Sequence, residues 1–210
     1  MAPERSKVRV LVVDDHPVFR EGVAAILQAE EELVLAGEAA DGEQAVEAFR
    51  RLLPDVTLMD LQMPVMNGIE AIRVIRSGYP GARLIALTTY SGDVQVLRAL
   101  KAGAVGYLLK STLRKDLVNT IRAVHRGGRS LSPEVASELA NHALDELLTS
   151  REVEVLREVA VGTSNREIAS HLGLTESTVK SHLKSLMAKL DANDRTHAVV
   201  IATKRGILEG

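Results

Sequence analysis

Two rhythms alternate along the first part of the chain. Short, nearly continuous apolar runs occur at 8–13, 33–38, 55–60, 83–88 and 105–109. Between them, at 17–29, 42–52, 67–77, 92–102 and 113–126, apolar residues recur every three or four positions, as in Val94, Leu97, Ala99 and Leu100. Runs of the first kind predict strands buried on both faces, and runs of the second kind predict amphipathic helices. Gly and Pro punctuate the joints, among them Gly37, Gly42, Pro54, Pro64, Gly68, Gly78 and Gly103. Five strand–helix units in succession imply an α/β layer structure, with a parallel sheet covered by helices on both sides. The second run is more polar at its ends, which suits an edge.

The rhythm changes after Arg126. Gly127-Gly128-Arg129-Ser130 reads as a break, and no strand pattern is evident beyond it. Ser132-Pro133-Glu134 looks like a helix start, with Pro at the first helical position, and predicts a linker helix over 133–143. Four helices are then expected at 150–161, 165–171, 176–190 and 194–204. Their start signals are Thr149 or Ser150, Ser164, Thr175 or Glu176, and Asn193 or Asp194, while Gly162 and Gly173 sit where glycines stop helices. The spacing divides the chain into a domain over 7–126, a linker over 127–146 and a smaller all-α domain over 147–210.

Composition narrows the picture. Hydrophobic residues make up 46% and aromatics 2%, so there is enough for a core, built from Leu, Val, Ile and Ala. With no Cys, disulfides and thiolate metal sites are excluded. No apolar stretch approaches the length of a membrane span, and residues 1–7 are charged with no signal-like run behind them, so a cytoplasmic protein is expected. The net charge of −2 is unevenly spread: residues 163–207 hold seven Lys/Arg against four acids, +3, which leaves −5 on the rest. A mildly basic C-terminal segment on an acidic body permits nucleic-acid binding.

The chemistry lies at the strand ends. Val10-Leu11-Val12-Val13 runs into Asp14 and Asp15, and Val56-Thr57-Leu58-Met59 runs into Asp60. Carboxylates that end buried parallel strands gather at the carboxyl edge of the sheet, where open α/β folds build their sites. Three together repel one another unless a cation joins them, which points to a hard divalent metal such as Mg2+. Asp60 is the candidate phospho-acceptor, because an Asp carboxylate can take a phosphoryl group. Thr88 ends the fourth run with a hydroxyl for a phosphoryl oxygen, and Lys110 ends the fifth with an ammonium. Each such residue alone is an ordinary cap or solvated group; four strand ends delivering polar groups to one edge form a specific pattern.

In the C-terminal domain a short helix, a tight turn over 172–175 and a longer helix have helix-turn-helix character. Val179, Leu183, Leu186 and Leu190 form one apolar stripe of the longer helix, and Thr178, Lys180, Ser181 and Lys184 fall elsewhere on the wheel. Short polar side chains and lysines so placed suit a helix entering a major groove.

Residues 7–125 resemble the receiver domain of bacterial two-component response regulators. The likeness rests on Val-Asp-Asp-His at 13–16, Met-Asp-Leu-Gln-Met-Pro at 59–64, Leu-Thr-Thr-Tyr at 87–90 and Ala-Gly-Ala-Val-Gly-Tyr-Leu-Leu-Lys at 102–110. It implies a flavodoxin-like five-stranded fold and transfer of a phosphoryl group to Asp60 from a sensor histidine kinase. It further implies direct Mg2+ ligation by Asp15, Asp60 and the Gln62 backbone carbonyl, with Asp14 acting largely through water, and a coupled switch of Thr88 and Tyr107. Tyr107 would turn inward once Thr88 moves. Many receivers carry Pro after the Lys; here Ser111 follows, which removes the usual reason for a cis peptide.

Residues 147–207 resemble the LuxR-type helix-turn-helix domain, through Leu-Thr-Ser-Arg-Glu-Val-Glu-Val-Leu at 148–156, Asn-Arg-Glu-Ile-Ala at 165–169 and Thr-Glu-Ser-Thr-Val-Lys-Ser-His-Leu at 175–183. That likeness makes 176–190 the recognition helix. Lys180, Ser181 and Lys184 would face bases, Thr178 and His182 would lie near phosphates, and Asn165 and Arg166 are further phosphate candidates. The last helix resembles a dimerising helix, with Ala198, Ile201 and Ala202 as its small apolar face. The order of the two domains is that of the NarL/FixJ family. The expectation is a regulator that binds double-stranded promoter DNA as a homodimer when phosphorylated. A phosphatase would usually carry a second acid two residues after the nucleophile, where this chain has Gln62; its own slow dephosphorylation is all the turnover expected. An RNA-binding output would want stacking aromatics, which the segment lacks. A regulator that binds DNA regardless of phosphorylation is the remaining rival, and the complete acidic site argues against it.

Overall fold

The computed structural model describes residues 7–89, 93–131, 135–137 and 148–208. Among these residues two compact units separate, one of 7–89 with 96–136 and the other of 93–95 with 137 and 148–208.

The first unit is a parallel sheet of β1 (Val8–Val13), β2 (Leu33–Ala39), β3 (Val56–Asp60), β4 (Leu84–Thr88), β5 (Gly106–Leu109) and a two-residue β6 (Ser130–Leu131). The strand order is β2-β1-β3-β4-β5-β6. All five expected strands are present, and the more polar second one lies at an edge. The sixth departs from the expectation of a break at 127–130 with no strand beyond it: Ser130 and Leu131 pair with Gly106 and Tyr107. A strand of two residues has no periodicity for a sequence reading to detect.

Five helices cover the sheet: α1 (Pro17–Gln28), α2 (Gly42–Leu52), α3 (Gly68–Gly78), α4 (Asp93–Ala102) and α5 (Leu113–His125). Asp41 caps α2 by accepting from the Gln44 amide, and Asn67 caps α3 by accepting from that of Glu70. One core layer joins Val23 and Leu27 of α1 and Leu117, Ile121 and Val124 of α5 to Val10, Val12, Leu58, Ile85 and Leu87. Because side chains alternate along a strand, Leu11, Val13, Met59 and Ala86 serve the opposite layer, in which Phe49, Ile72 and Ile75 are also buried.

Register sets the site. Val13 pairs with Met59, Asp60 with Leu87 and Thr88 with Leu109, so Asp14, Asp60, Thr88 and Lys110 follow one another along the carboxyl edge. The strand order reverses direction between β1 and β3, and such a switch point is where open α/β sheets form crevices.

The second unit contains α6 (Ser150–Ala160), α7 (Asn165–Leu172), α8 (Glu176–Lys189) and α9 (Arg195–Lys204). Thr149, Ser164, Thr175 and Asp194 cap them, the first two in complete capping boxes with Glu152 and Glu167, which settles the alternatives in the start signals. Gly173 ends α7 at φ 65°, a left-handed conformation that glycine adopts without strain. Their core holds Val155, Leu156, Val159, Ile168 and the whole predicted stripe of Val179, Leu183, Leu186 and Leu190. Of the expected linker helix at 133–143, residues 135–137 are helical and the remainder lies outside the described residues. Among the described residues no helix is long and apolar enough to cross a membrane.

Candidate functional site

At the carboxyl edge of the sheet the predicted groups meet. Asp14, Asp60 and Thr88 are almost wholly buried. The Lys110 ammonium lies 2.8 Å from Asp60 Oδ2 and 2.7 Å from Asp14 Oδ2, bridging the two carboxylates. It also stands 4.7 Å from the centre of the Phe19 ring, whose face attracts a cation. Gln62 donates its backbone N–H to Asp60 Oδ1 at 3.3 Å. Burial pushes the Asp60 carboxyl above the usual range, Lys110 pulls it back and the charge of Asp14 pushes it up again; the net direction is up. For Lys110 burial works against the charged form, but its contacts with Asp14 and Asp60 outweigh burial, so it stays an ammonium.

Asp14 Oδ2 is buried with only the Lys110 ammonium beside it, and Asp15 Oδ1 is buried with only His16 Nδ1 beside it, at 2.9 Å; neither is aligned as a hydrogen bond. Buried acceptors left in this way are costly. His16 joins the same group: one ligand atom from each of Asp14, Asp15, His16 and Asp60 lies within 4.8 Å of all the others. Carboxylate oxygens gathered at one point with so few donors fit a hard divalent cation. The side chains that could hold it are Asp14, Asp15 and Asp60. Gln62 is exposed and lies two residues after Asp60 in the loop.

Tyr107 is fully buried and its phenol shares a hydrogen bond with the Thr88 side chain. Burial raises the phenol well above its ordinary range, and Thr88 offsets this only in part. The ring lies inside the fold, the inward orientation named for the switch pair. Ala86, the partner of Tyr107 in register, carries only a methyl group and leaves room beside it. The Lys110–Ser111 peptide is trans, and the Lys110 amide donates to the Thr88 carbonyl at 2.7 Å.

Two supports were not foreseen. Arg20 of α1 donates to the Asp14 carbonyl at 2.7 Å and pairs with Glu38 at 3.0 Å, fixing the loop that carries the acids. Gly68, at the start of α3, stands where a Cβ would lie 1.9 Å from the Asp60 carbonyl oxygen.

In the second unit Lys180, Ser181, Lys184 and Arg166 are exposed, while Thr178, His182 and Asn165 are half-buried. Thr178 is engaged in the cap of α8, its hydroxyl 2.8 Å from that of Thr175. Asn165 Oδ1 is buried with no hydrogen-bond partner. Three of the seven basic residues counted in the sequence are spent on the fold: Lys189 pairs with Glu152 at 3.0 Å, Arg195 donates to the Thr163 carbonyl at 2.9 Å, and Arg205 is buried. The sequence reading missed Glu152. It is buried, takes a 2.6 Å hydrogen bond from the Ser185 hydroxyl and one of 2.7 Å from the Thr149 amide, and so joins α6 to α8. Burial works to raise its carboxyl, but the bonds from Ser185, Thr149 and Lys189 prevail and hold it at about 2. The available signal was the capping-box spelling Thr149-Ser150-Arg151-Glu152.

The expected dimerising face of α9 is corrected in part. Ala198 and Ala202 are completely buried in the unit's own core and offer no surface, while Ile201 packs against that core and is half-buried. The small residues let α9 approach its neighbours closely. Val200, 45% exposed, is the large apolar residue that α9 leaves outside.

Comparison with known proteins agrees with this layout. The family described as response regulator receiver domain matches residues 10–122, and that described as bacterial regulatory proteins, luxR family, matches 146–202. The chain is 40% identical over 216 residues to the uncharacterized transcriptional regulatory protein YxjL of Bacillus subtilis, covering 98% of this chain and 99% of that one. It is 38% identical over 207 residues to the response regulator protein VraR of Staphylococcus aureus, covering 96% and 99%. Among solved structures, a complex of the two-component response regulator RcsB with DNA is similar at a TM-score of 0.72 and 27% identity, covering 95% of this chain and 99% of that one.

Proposed function

The chain belongs to the response regulators that join a receiver domain to a LuxR-type DNA-binding domain, and we propose that Asp60 is its phospho-acceptor, loaded by a sensor histidine kinase to control binding of promoter DNA. The observation that carries this is the Lys110 bridge between Asp60 and Asp14 at the carboxyl edge. In this reading a carboxylate oxygen of Asp60 attacks the phosphorus of a phosphohistidine, the bond from phosphorus to the imidazole nitrogen breaks, and the nitrogen leaves with its electron pair. Burial strips water from the Asp60 carboxylate before attack. Lys110 is placed to neutralise charge on the phosphoryl oxygens. A Mg2+ ion held by Asp14, Asp15 and Asp60, with the Gln62 carbonyl, would supply further neutralisation of that charge. A groove of about 1080 Å³ lined by Val18, Phe19, Ile26, Leu113 and others opens beside Lys110 and gives the kinase an apolar surface to dock on.

Phosphorylation adds roughly 1.5 to 2 negative charges. The new oxygens compete with Tyr107 for the Thr88 hydroxyl and with Asp14 for Lys110. Movement of Thr88 toward the phosphoryl group would release its hydrogen bond to Tyr107, which couples the two residues as a switch pair. The output is DNA binding through α8, with Lys180, Ser181 and Lys184 toward bases and Arg166, Asn165, Thr178 and His182 nearer the backbone; the exposure of Lys180, Ser181 and Lys184 on one helix supports it. Activation works as a homodimer on paired half-sites, in the cytoplasm, and turnover is limited to slow loss of the protein's own phosphoryl group.

The test is intact-protein mass after incubation with Mg2+ and a small phosphodonor, wild type against Asp60→Ala. Gain of one phosphoryl group in wild type alone is expected. Gain in both would move the acceptor elsewhere, and gain in neither, with the donor active on a control receiver, would leave a regulator that binds DNA without phosphorylation. Light scattering with and without a phosphoryl mimic then tests the dimer, which requires a rise in mass.

A further inference from the structure

We propose that His16 is a ligand of the cation at this edge, through its imidazole, so that the donor set is nitrogen with oxygen and favours Mn2+ and its heavier neighbours over Mg2+. The proposal rests on the reading of the carboxylate cluster as a cation site.

His16 occupies the position before Pro17 that caps α1, where Ser, Thr, Asp or Asn would bond the helix's free amides; its side chain makes no such bond. The ring is committed to the acids instead. Nδ1 lies 3.0 Å from Asp14 Oδ1 and 2.9 Å from Asp15 Oδ1, and the His16 backbone N–H donates to Asp14 Oδ1 at 2.9 Å. The chain therefore forgoes a cap on α1 and places an imidazole against two carboxylates. A ring nitrogen shares the 4.8 Å cluster with oxygens of Asp14, Asp15 and Asp60. Asp14 is fully buried, and its Oδ2 meets only the Lys110 ammonium, which it shares with Asp60, so the cluster has room for a further positive partner.

Burial does not fix the His16 ring in that contact with the acids. Its side chain is 68% exposed, so it can turn to present a lone pair from either nitrogen with the hydrogen on the other. Imidazole suits transition metals, whereas Mg2+ prefers oxygen ligands and keeps its waters. The imidazole thus adds little for Mg2+ and more for Mn2+.

The experiment uses the full-length protein, with titration calorimetry of Mg2+ and Mn2+ in turn on wild type, His16→Ala and Asp15→Asn, and pulsed electron paramagnetic resonance of the bound Mn2+. His16→Ala should weaken Mn2+ by about tenfold and Mg2+ by less than about twofold. A nitrogen coupling to Mn2+ should be present in wild type and lost in His16→Ala, while Asp15→Asn should weaken both ions. Mn2+ bound without nitrogen coupling, or a coupling that survives in His16→Ala, would overturn the role of His16 and leave the cation site standing. No binding of either ion by wild type would overturn the cation site itself.

Discussion

Gly68 and Asp60 touch through their backbones: a Cβ on Gly68 would stand 1.9 Å from the Asp60 carbonyl oxygen and 2.9 Å from Leu61 Cα. The Gly68 amide also donates to the Leu61 carbonyl at 3.1 Å, so α3 begins pressed against the strand end that carries the acceptor. Alanine normally favours a helix over glycine by about 1 kcal/mol. Here the obstacle is backbone, which cannot turn aside as a flexible side chain can. Gly68→Ala should therefore destabilise by about 2 kcal/mol in urea unfolding, as overpacking does. It should also cut the yield of phosphorylated protein in the mass assay. Unchanged stability would mean that the loop can move freely away from α3.

Lys110 is the counter-charge of two nearly buried carboxylates. Removing one partner of such a group leaves the others uncompensated, and Lys110→Ala should cost about 3 kcal/mol without added cation. A divalent cation occupies the same electrostatic role, so Mg2+ should raise the melting temperature of Lys110→Ala more than that of wild type, and chelation should remove the difference. Equal shifts in the two proteins would show that Lys110 and the cation do not share the carboxylates.

Val65, in the loop between Asp60 and α3, has φ 67° and is 78% exposed. A β-branched residue in the left-handed region is strained by roughly 1 to 3 kcal/mol, whereas glycine there is unstrained and gives up only about 0.5 to 1 kcal/mol of chain entropy. With little packing to lose, Val65→Gly should stabilise by about 1 kcal/mol in urea unfolding. A destabilised variant would show that Val65 is not strained in solution.

Strand ends and helix stripes were legible because period and punctuation carry them: Val10 to Asp15, Val56 to Asp60 and the stripe from Val179 to Leu190 all stand where the pattern puts them. The acidic edge followed from that placement, since parallel strands in register align their last residues. What escaped depended on through-space partners. Gly68 reads only as a turn former until the Asp60 carbonyl is seen beside it. Arg20 reads as a solvated helix residue until Asp14 and Glu38 flank it. Ala198 and Ala202 read as an apolar face, and whether such a face meets its own core or another chain is set by packing, not by pattern.

Glu152 should make the second unit sensitive to acid. Its carboxyl is held at about 2 in the fold, against an ordinary value of 4.5, so the unfolded chain takes up a proton first as pH falls. The stabilisation is complete above about pH 4.5 and is lost between there and about pH 2, and its full size is on the order of 2 to 3 kcal/mol. Glu152→Gln should lose most of it at neutral pH and flatten the acid slope, read from urea unfolding followed at the methyl signals of Val155 and Leu186. An acid slope equal to that of wild type would remove Glu152 from the account.

Lys180 and Lys184 test how α8 meets DNA. Both are exposed, one turn apart on the same helix, and clear of the core stripe. Arg166, exposed at the start of α7, is the backbone-facing comparison. A lysine that only neutralises a phosphate contributes about 0.9 to the slope of log affinity against log salt and weakens all sequences alike when removed. One that reads a base edge costs about 1 to 3 kcal/mol on the preferred sequence and little on others. Titrations of promoter and scrambled duplex across a salt series should place Arg166→Ala in the first class, and Lys180→Ala and Lys184→Ala in the second. If both lysine variants lose affinity equally for the two duplexes, α8 contacts the backbone and sequence is read elsewhere in the unit. If neither variant changes affinity, α8 is not the recognition helix.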